Sequence, residues 1–215
     1  AGKFVQAESL ARDLTHSCRV DTFAWQALGL SLQNSGRLVE SLPVVFHAAH
    51  LIPGDFEAQY TLGVSIHRLH FLPEAEKIYQ TALSLHPDSA EVHNNLGVTQ
   101  LDQRKFEAAE MNFRRTIALR PNFPMGFNNL GNGLKELGKL EEAIANYRKA
   151  ILLEPDYSEA YTRVATSGLL AWNEVSKLAY WGRLGASSAK VLMAARLWGL
   201  CKGARGVQLP ISTRI

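Results

Sequence analysis

Two histidine pairs are spaced to lie one helical turn apart, His47 with His50 and His67 with His70. Imidazoles at that spacing can share a metal ion. No Asp, Glu or Cys accompanies either pair in sequence, and the competing reading places one pair on a helix and runs the other into a turn, without a metal. Cys18 could act as a nucleophile only with a base brought to it by folding; a small buried hydrophobe is the simpler role. Cys18 and Cys201 are the only thiols and neither has a CxxC partner, so a disulfide framework and a zinc knuckle both lack support. Reduced, intracellular thiols are expected. "GNGLKELGK", Gly131–Lys139, has glycines and lysines but not the spacing of a phosphate loop. No acid, base and nucleophile converge in the sequence. The chain therefore reads as noncatalytic, with no cofactor implied. What remains are amides: Asn94-Asn95 and Asn128-Asn129, each followed by Leu-Gly, 34 residues apart.

That spacing runs through most of the chain, and it sets the elements that must carry those amides. Prolines stand at 53, 87, 121 and 155, and glycines at 29, 63, 97 and 131, each series 34 apart. Each of these glycines follows a leucine: Leu28, Leu62, Leu96 and Leu130. Three residues before each leucine stand Trp25, Gln59, His93 and Phe127; thirteen after it stand Ser41, Ala75, Ala109 and Ala143. Then come Val45, Tyr79, Phe113 and Tyr147, followed by Ala48, Ala82, Thr116 and Ala150. Offsets of three, four and seven share a helical face. Small residues at fixed places let two helices cross closely, and the proline ends the second helix. Each period predicts a helix, a tight turn and an antiparallel helix, which can bury its apolar face only by stacking on neighbours.

The pattern resembles the tetratricopeptide repeat, 34 residues long, with W-x2-L-G-x2-Y, then A-x3-F, then A and P. "WQALGLSL", "QYTLGVSI", "HNNLGVTQ" and "FNNLGNGL" carry its first half; "AEKIYQTALSLHP", "AEMNFRRTIALRP" and "AIANYRKAILLEP" carry its second. The resemblance implies an all-α fold, a right-handed superhelical solenoid of antiparallel helix pairs. Full repeats are expected at 22–55, 56–89, 90–123 and 124–157. Residues 1–21 are expected to form the second helix of a truncated repeat, because "GKFVQAESLARDL" aligns with "GKLEEAIANYRKA". Residues 158–174 begin a fifth first helix or a cap. A first residue of alanine suggests a fragment or processed chain, with a longer array in its parent.

In this family the first helices line a concave groove that holds peptides or partner helices. The resemblance carries inward positions over one by one: Gln26, Ala27, Leu30 and Gln33, then Tyr60, Thr61, Val64, His67 and Arg68. Further along they are Asn94, Asn95, Val98 and Leu101, then Asn128, Asn129, Asn132 and Lys135, and finally Thr162, Arg163 and Thr166. The carboxylate clamp of chaperone-binding members is not reproduced, since Gln26, Leu30, Glu91 and Asn95 stand where its cations and asparagines would be. Asn95 and Asn129 match two rungs of the asparagine ladder of O-linked N-acetylglucosamine transferases, whose amides hydrogen-bond an extended peptide. Thr61 and Ala27 do not extend it backward, and Arg163 breaks it forward. An amide offers donor and acceptor together and so matches a peptide unit without reading side chains. The other reading leaves all four asparagines solvated on an exposed face that the packing does not need.

Composition fits a folded interaction module: 47% hydrophobic, 20% charged and net +3, which by itself names no nucleic-acid partner. No stretch is long and apolar enough for a transmembrane helix, and no signal peptide is visible; a cytoplasmic location is the expectation. Residues 175–215 differ, with seven Lys and Arg and no Asp or Glu. They read as a capping helix pair, as a basic arm for an acidic protein, nucleic acid or membrane surface, or as unrelated sequence. The expected function is a noncatalytic scaffold binding a protein or peptide in the groove. The alternative is the substrate-recruiting arm of a larger transferase, such as a glycosyltransferase. Self-association through the open array ends is the third reading.

Overall fold

The computed structural model describes residues 22–166 together with the isolated position 9. The described chain is helical, without strands, and its helices alternate between two layers. The first helices of the pairs are α1 (Thr22–Asn34), α3 (Phe56–Arg68), α5 (Ala90–Asp102) and α7 (Pro124–Glu136). The second helices are α2 (Leu38–Leu51), α4 (Leu72–Leu85), α6 (Phe106–Leu119) and α8 (Leu140–Leu153), and α9 (Ser158–Thr166) follows in the first layer. Cys18, Cys201, residues 1–21 apart from Ser9, and the 175–215 tail lie outside the described residues.

Local chemistry sets the helix limits. Asp55 accepts a hydrogen bond from the Ala58 N–H at 3.2 Å, and Ser89 accepts one from Val92 at 3.4 Å, so both cap open helix N-termini. Pro124 opens α7, where its missing N–H costs nothing. Every second helix ends on a residue just before proline. Ile52, His86, Arg120 and Glu154 all have φ between −132° and −135°. Proline's ring excludes the helical region for the preceding residue, which is why the helix stops there.

The turn inside each pair needs one left-handed residue. Gly36 and Gly138 supply it at φ 77° and 75°, while His70 and Arg104 adopt it at φ 63° and 61°. A side chain there crowds the backbone by about 1 kcal/mol or more. Arg104→Gly is therefore expected to raise the unfolding free energy by about 1 kcal/mol, net of the extra freedom glycine gives the unfolded chain. Urea denaturation checks it; a midpoint that falls would show that the Arg104 guanidinium, 5.9 Å from the Phe106 ring centroid, outweighs the strain.

The core lies between the layers. Leu28, Leu62, Leu96 and Leu130 are buried, as are Val45, Tyr79, Phe113 and Tyr147 opposite them. The glycine after each leucine makes the crossing possible. A Cβ on Gly29, Gly63, Gly97 or Gly131 would sit 2.3, 2.7, 2.6 or 2.5 Å from Val45, Tyr79, Phe113 or Tyr147 respectively. Packing thus explains the Leu-Gly half of the repeated Asn-Asn-Leu-Gly.

Candidate functional site

The asparagine half has a structural role as well. Neighbouring first helices are tied by side-chain bonds that reach from one repeat to the next. Asn95 Nδ2 donates to the Tyr60 hydroxyl at 3.2 Å, and Asn129 Nδ2 donates to Asn94 Oδ1 at 2.9 Å, each spanning 35 residues. His67 Nε2 meets Asp102 at 3.1 Å across the same interval. Asn94 Nδ2 completes a relay by donating to Asn95 Oδ1 at 3.4 Å, and it also lies 3.9 Å from the Met125 sulfur. At the first junction Gln33 donates to Ser65 Oγ at 2.5 Å and to the Thr61 carbonyl at 3.3 Å, while Gln26 reaches Asp55 at 2.7 Å.

Asn94, Asn128 and Thr61, expected on the open face, are instead buried at 3%, 0% and 5% exposure. Consecutive helical residues point about 100° apart. The first residue of each Asn-Asn pair therefore faces the next repeat, and the second faces the groove. Asn95, Asn129, Asn132, Tyr60, Gln26, His67 and Lys135 are half-buried, and Arg68 is exposed. The expectation that the asparagines are dispensable to the stack is corrected on the same ground: three of the four amides bridge neighbours. Asn95 gives one N–H to Tyr60, and its Oδ1 accepts from Asn94.

Asn128 is the exception among the four. The Tyr157 phenol lies close enough to feel its amide, yet neither Asn128 Nδ2 nor Oδ1 reaches a partner of normal hydrogen-bond geometry. A buried amide without partners costs about 1–3 kcal/mol. Asn128→Leu, nearly equal in size, is expected to recover about that amount; a lower thermal midpoint would show that the amide is satisfied.

Two phenols border this face. Burial, opposed by the Asn95 hydrogen bond, raises the Tyr60 hydroxyl above its ordinary value. Burial pushes Tyr147 up to about 12. Tyr147 therefore keeps its proton near neutrality and donates it to Asn132 Oδ1 at 3.0 Å.

The second layer has a charge ladder that the motif reading overlooked. Lys105 reaches back to Glu76 at 2.6 Å and Lys139 to Glu110 at 2.7 Å, both over 29 residues. That shared offset was the available signal. Arg114 bridges Glu110 and Glu142, and Gln100 and Gln103 also donate to Glu76. Burial works to raise both carboxyls, since Glu76 and Glu110 are only 13% and 12% exposed. The hydrogen bonds from Lys105, Gln100 and Gln103 to one, and from Lys139 and Arg114 to the other, outweigh it and hold both below 4.5. A depressed folded pKa stabilises the fold above the unfolded value and loses that contribution as pH falls through the folded value. Stability is expected to drop below pH 4.5, and Glu76→Gln with Glu110→Gln is expected to flatten that drop in urea titrations from about pH 5 to 3.

The histidines have non-metal neighbours. His47 packs on Trp25 with ring centroids 4.5 Å apart, and His50 on Phe46 at 4.2 Å. Among the described residues no three His, Cys, Asp or Glu side chains gather to hold a metal, and no helix is long and apolar enough to cross a membrane.

A two-layer solenoid of antiparallel helix pairs, repeating every 34 residues and closed by a glycine packed on Val45, Tyr79, Phe113 or Tyr147, is a tetratricopeptide-repeat fold. Family models described as tetratricopeptide repeat match residues 55–122 and 124–157, so the chain contains tetratricopeptide repeats. No curated protein sequence matches the chain. Solved structures with this fold include one titled "Crystal structure of MamA", 20% identical, TM-score 0.66, covering 72% of this chain and 90% of that one. Another, MamA 41-end from Desulfovibrio magneticus RS-1, is 16% identical with TM-score 0.64, covering 86% of this chain and 97% of that one. At these identities the likeness is one of fold.

Proposed function

We propose that this protein is a noncatalytic interaction scaffold whose first-helix layer binds an extended segment of a partner protein. The observation that carries the reading is an apolar strip on that layer. Leu30 is 45% exposed, and Val64 and Val98 occupy the equivalent positions and are half-buried. The strip passes into the polar end formed by Asn129, Asn132 and Lys135 on α7. An apolar strip beside a few oriented polar groups suits a peptide better than a small polar substrate. The His67–Asp102 pair on this face joins α3 to α5, and the described residues gather no metal-holding cluster beside it.

The test uses dodecapeptides selected from a displayed random library on the full chain. Val64→Glu with Val98→Glu is expected to weaken the selected peptides at least tenfold by calorimetry, while Met111→Glu on the outer face of α6 leaves them unchanged. Equal affinity in all three proteins would overturn the groove as the binding face.

A further inference from the structure

The outer face of α2 differs from that of the later second helices. Val39, Pro43, Phe46 and His50 stand at offsets of four, three and four, so they form one stripe along the helix. All four are exposed, Val39 at 76% and Phe46 at 50%. At the Val39 place the later repeats carry Pro73, Glu107 and Glu141, and at the Phe46 place Gln80, Arg114 and Arg148. The exposed Met111 and Leu152 of those helices stand singly among charges. The stripe also widens toward the second repeat. Leu42 and Phe71, the latter 54% exposed, stand where the later junctions have the Glu76–Lys105 and Glu110–Lys139 bridges. Two features run against the needs of a solvated helix. Pro43 lies inside α2 and gives up the bond to the Val39 carbonyl. His50 lies over Phe46 with ring centroids 4.2 Å apart, and its Nδ1 donates to the Phe46 carbonyl at 3.3 Å. That bond holds the two rings as one ordered platform.

We infer that this stripe is where two copies of the chain meet, α2 lying antiparallel on α2 about a two-fold axis between Pro43 and Phe46. The spacing selects a second copy over another partner, because four, three, four reads the same in both directions. In an antiparallel pair Pro43 of one copy meets Phe46 of the other, and Val39 meets His50, each contact made twice. A two-fold interface needs such a self-complementary patch. The stripe carries no Asp, Glu, Lys or Arg, so no full charge of that kind is stripped of water. The antiparallel arrangement opposes the two helix dipoles. It also brings Glu40, in the first turn of one copy and bridged to Arg37 at 2.5 Å, toward His50 in the last turn of the other. The same rotation about α4, α6 or α8 would bring two Lys77, two Arg114 or two Arg148 side chains together, which confines the contact to α2. The stripe is smaller than the roughly 20–30 residues a side of a standard interface, so the association is weak and concentration-dependent. It lies on the layer opposite the groove and does not rest on the groove reading.

Sedimentation velocity of the full chain between about 5 and 500 µM tests this. A monomer–dimer equilibrium is expected, with a dissociation constant of about 10–100 µM. Phe46→Glu is expected to weaken it at least tenfold, while Arg148→Glu, at the equivalent exposed place on α8, leaves it within about twofold. Val39→Lys and His50→Glu are each expected to weaken it about fivefold. Both together on one chain should restore it to within about twofold of wild type, because the antiparallel register sets the two new charges against each other across the axis. These exposed positions decide the matter if Phe46→Glu loses its helical circular dichroism. A chain that stays monomeric at the highest concentration overturns the inference. A dimer that survives Phe46→Glu overturns it too, since the contact then lies elsewhere on the array. So does a double variant that associates no more tightly than the single ones.

Discussion

Phe113→Ala is expected to lower the unfolding free energy by about 3–5 kcal/mol, the range for deleting a closely packed phenylalanine. The ring is fully buried on α6, with no accessible surface. It fills the space left open by Gly97 on α5, and its other edge faces Gly133 on α7, where a Cβ would lie 3.5 Å away. Leu130, Leu134 and Tyr147 complete the cluster. One side chain thus joins two successive repeats. In a solenoid, stability is a sum of repeat terms and nearest-neighbour interface terms, and a whole domain is stable by only about 5–15 kcal/mol. Loss of this ring should also split the transition, so that α7–α9 and α1–α4 melt apart in denaturant. Met111→Ala is the matched control: same helix, 73% exposed, and expected to change stability by no more than about 0.5 kcal/mol. A cooperative single transition in Phe113→Ala, within about 1 kcal/mol of wild type, would refute the central place of this ring.

How much of this was legible beforehand follows from the physics of each feature. The leucines, glycines, aromatic residues and prolines recur at one period because each meets a steric demand that every repeat imposes. Those demands are local, so spacing alone reveals them. The left-handed turn at His70 and Arg104 was readable in principle, since Gly36 and Gly138 stand at equivalent positions and show what the backbone wants there. The destinations of the polar side chains were harder. Asn94 and Asn95 are adjacent in sequence yet serve different surfaces, because one step along a helix turns a side chain by about 100°. Whether an amide is free depends on its partner 35 residues away, and no pattern within one repeat contains that partner. The Glu76–Lys105 and Glu110–Lys139 bridges were harder for the same reason, since their ends lie in different repeats and only the shared 29-residue offset points to them. Between the first and second repeats Leu42 and Phe71 stand at the equivalent places, so even the residue class changes along the array.

The two glycines that flank Phe113 are expected to respond to alanine with opposite signs. A Cβ at Gly97 would lie 2.6 Å from Phe113 Cε1, 2.8 Å from Cδ1 and 3.0 Å from Cζ. The ring cannot swing aside, because its far edge already rests against α7. Helix propensity favours alanine by about 1 kcal/mol, but overpacking a closed core costs about 1–3 kcal/mol and sometimes more. Gly97→Ala is therefore destabilising, and Gly97→Val, with two more carbons and no comparable propensity gain, should cost about 3 kcal/mol or more. At Gly133 the nearest atom to a new Cβ is Phe113 Cδ2 at 3.5 Å, an ordinary contact. There the propensity term acts alone, and Gly133→Ala should stabilise the protein by about 1 kcal/mol. Urea midpoints of the three variants settle the matter. If both alanine variants shift the midpoint the same way, backbone propensity rather than ring contact governs these positions. If Gly97→Ala is rescued by Phe113→Leu, with a coupling of about 1 kcal/mol or more, the close approach of ring and glycine is the interaction that joins α5 to α6.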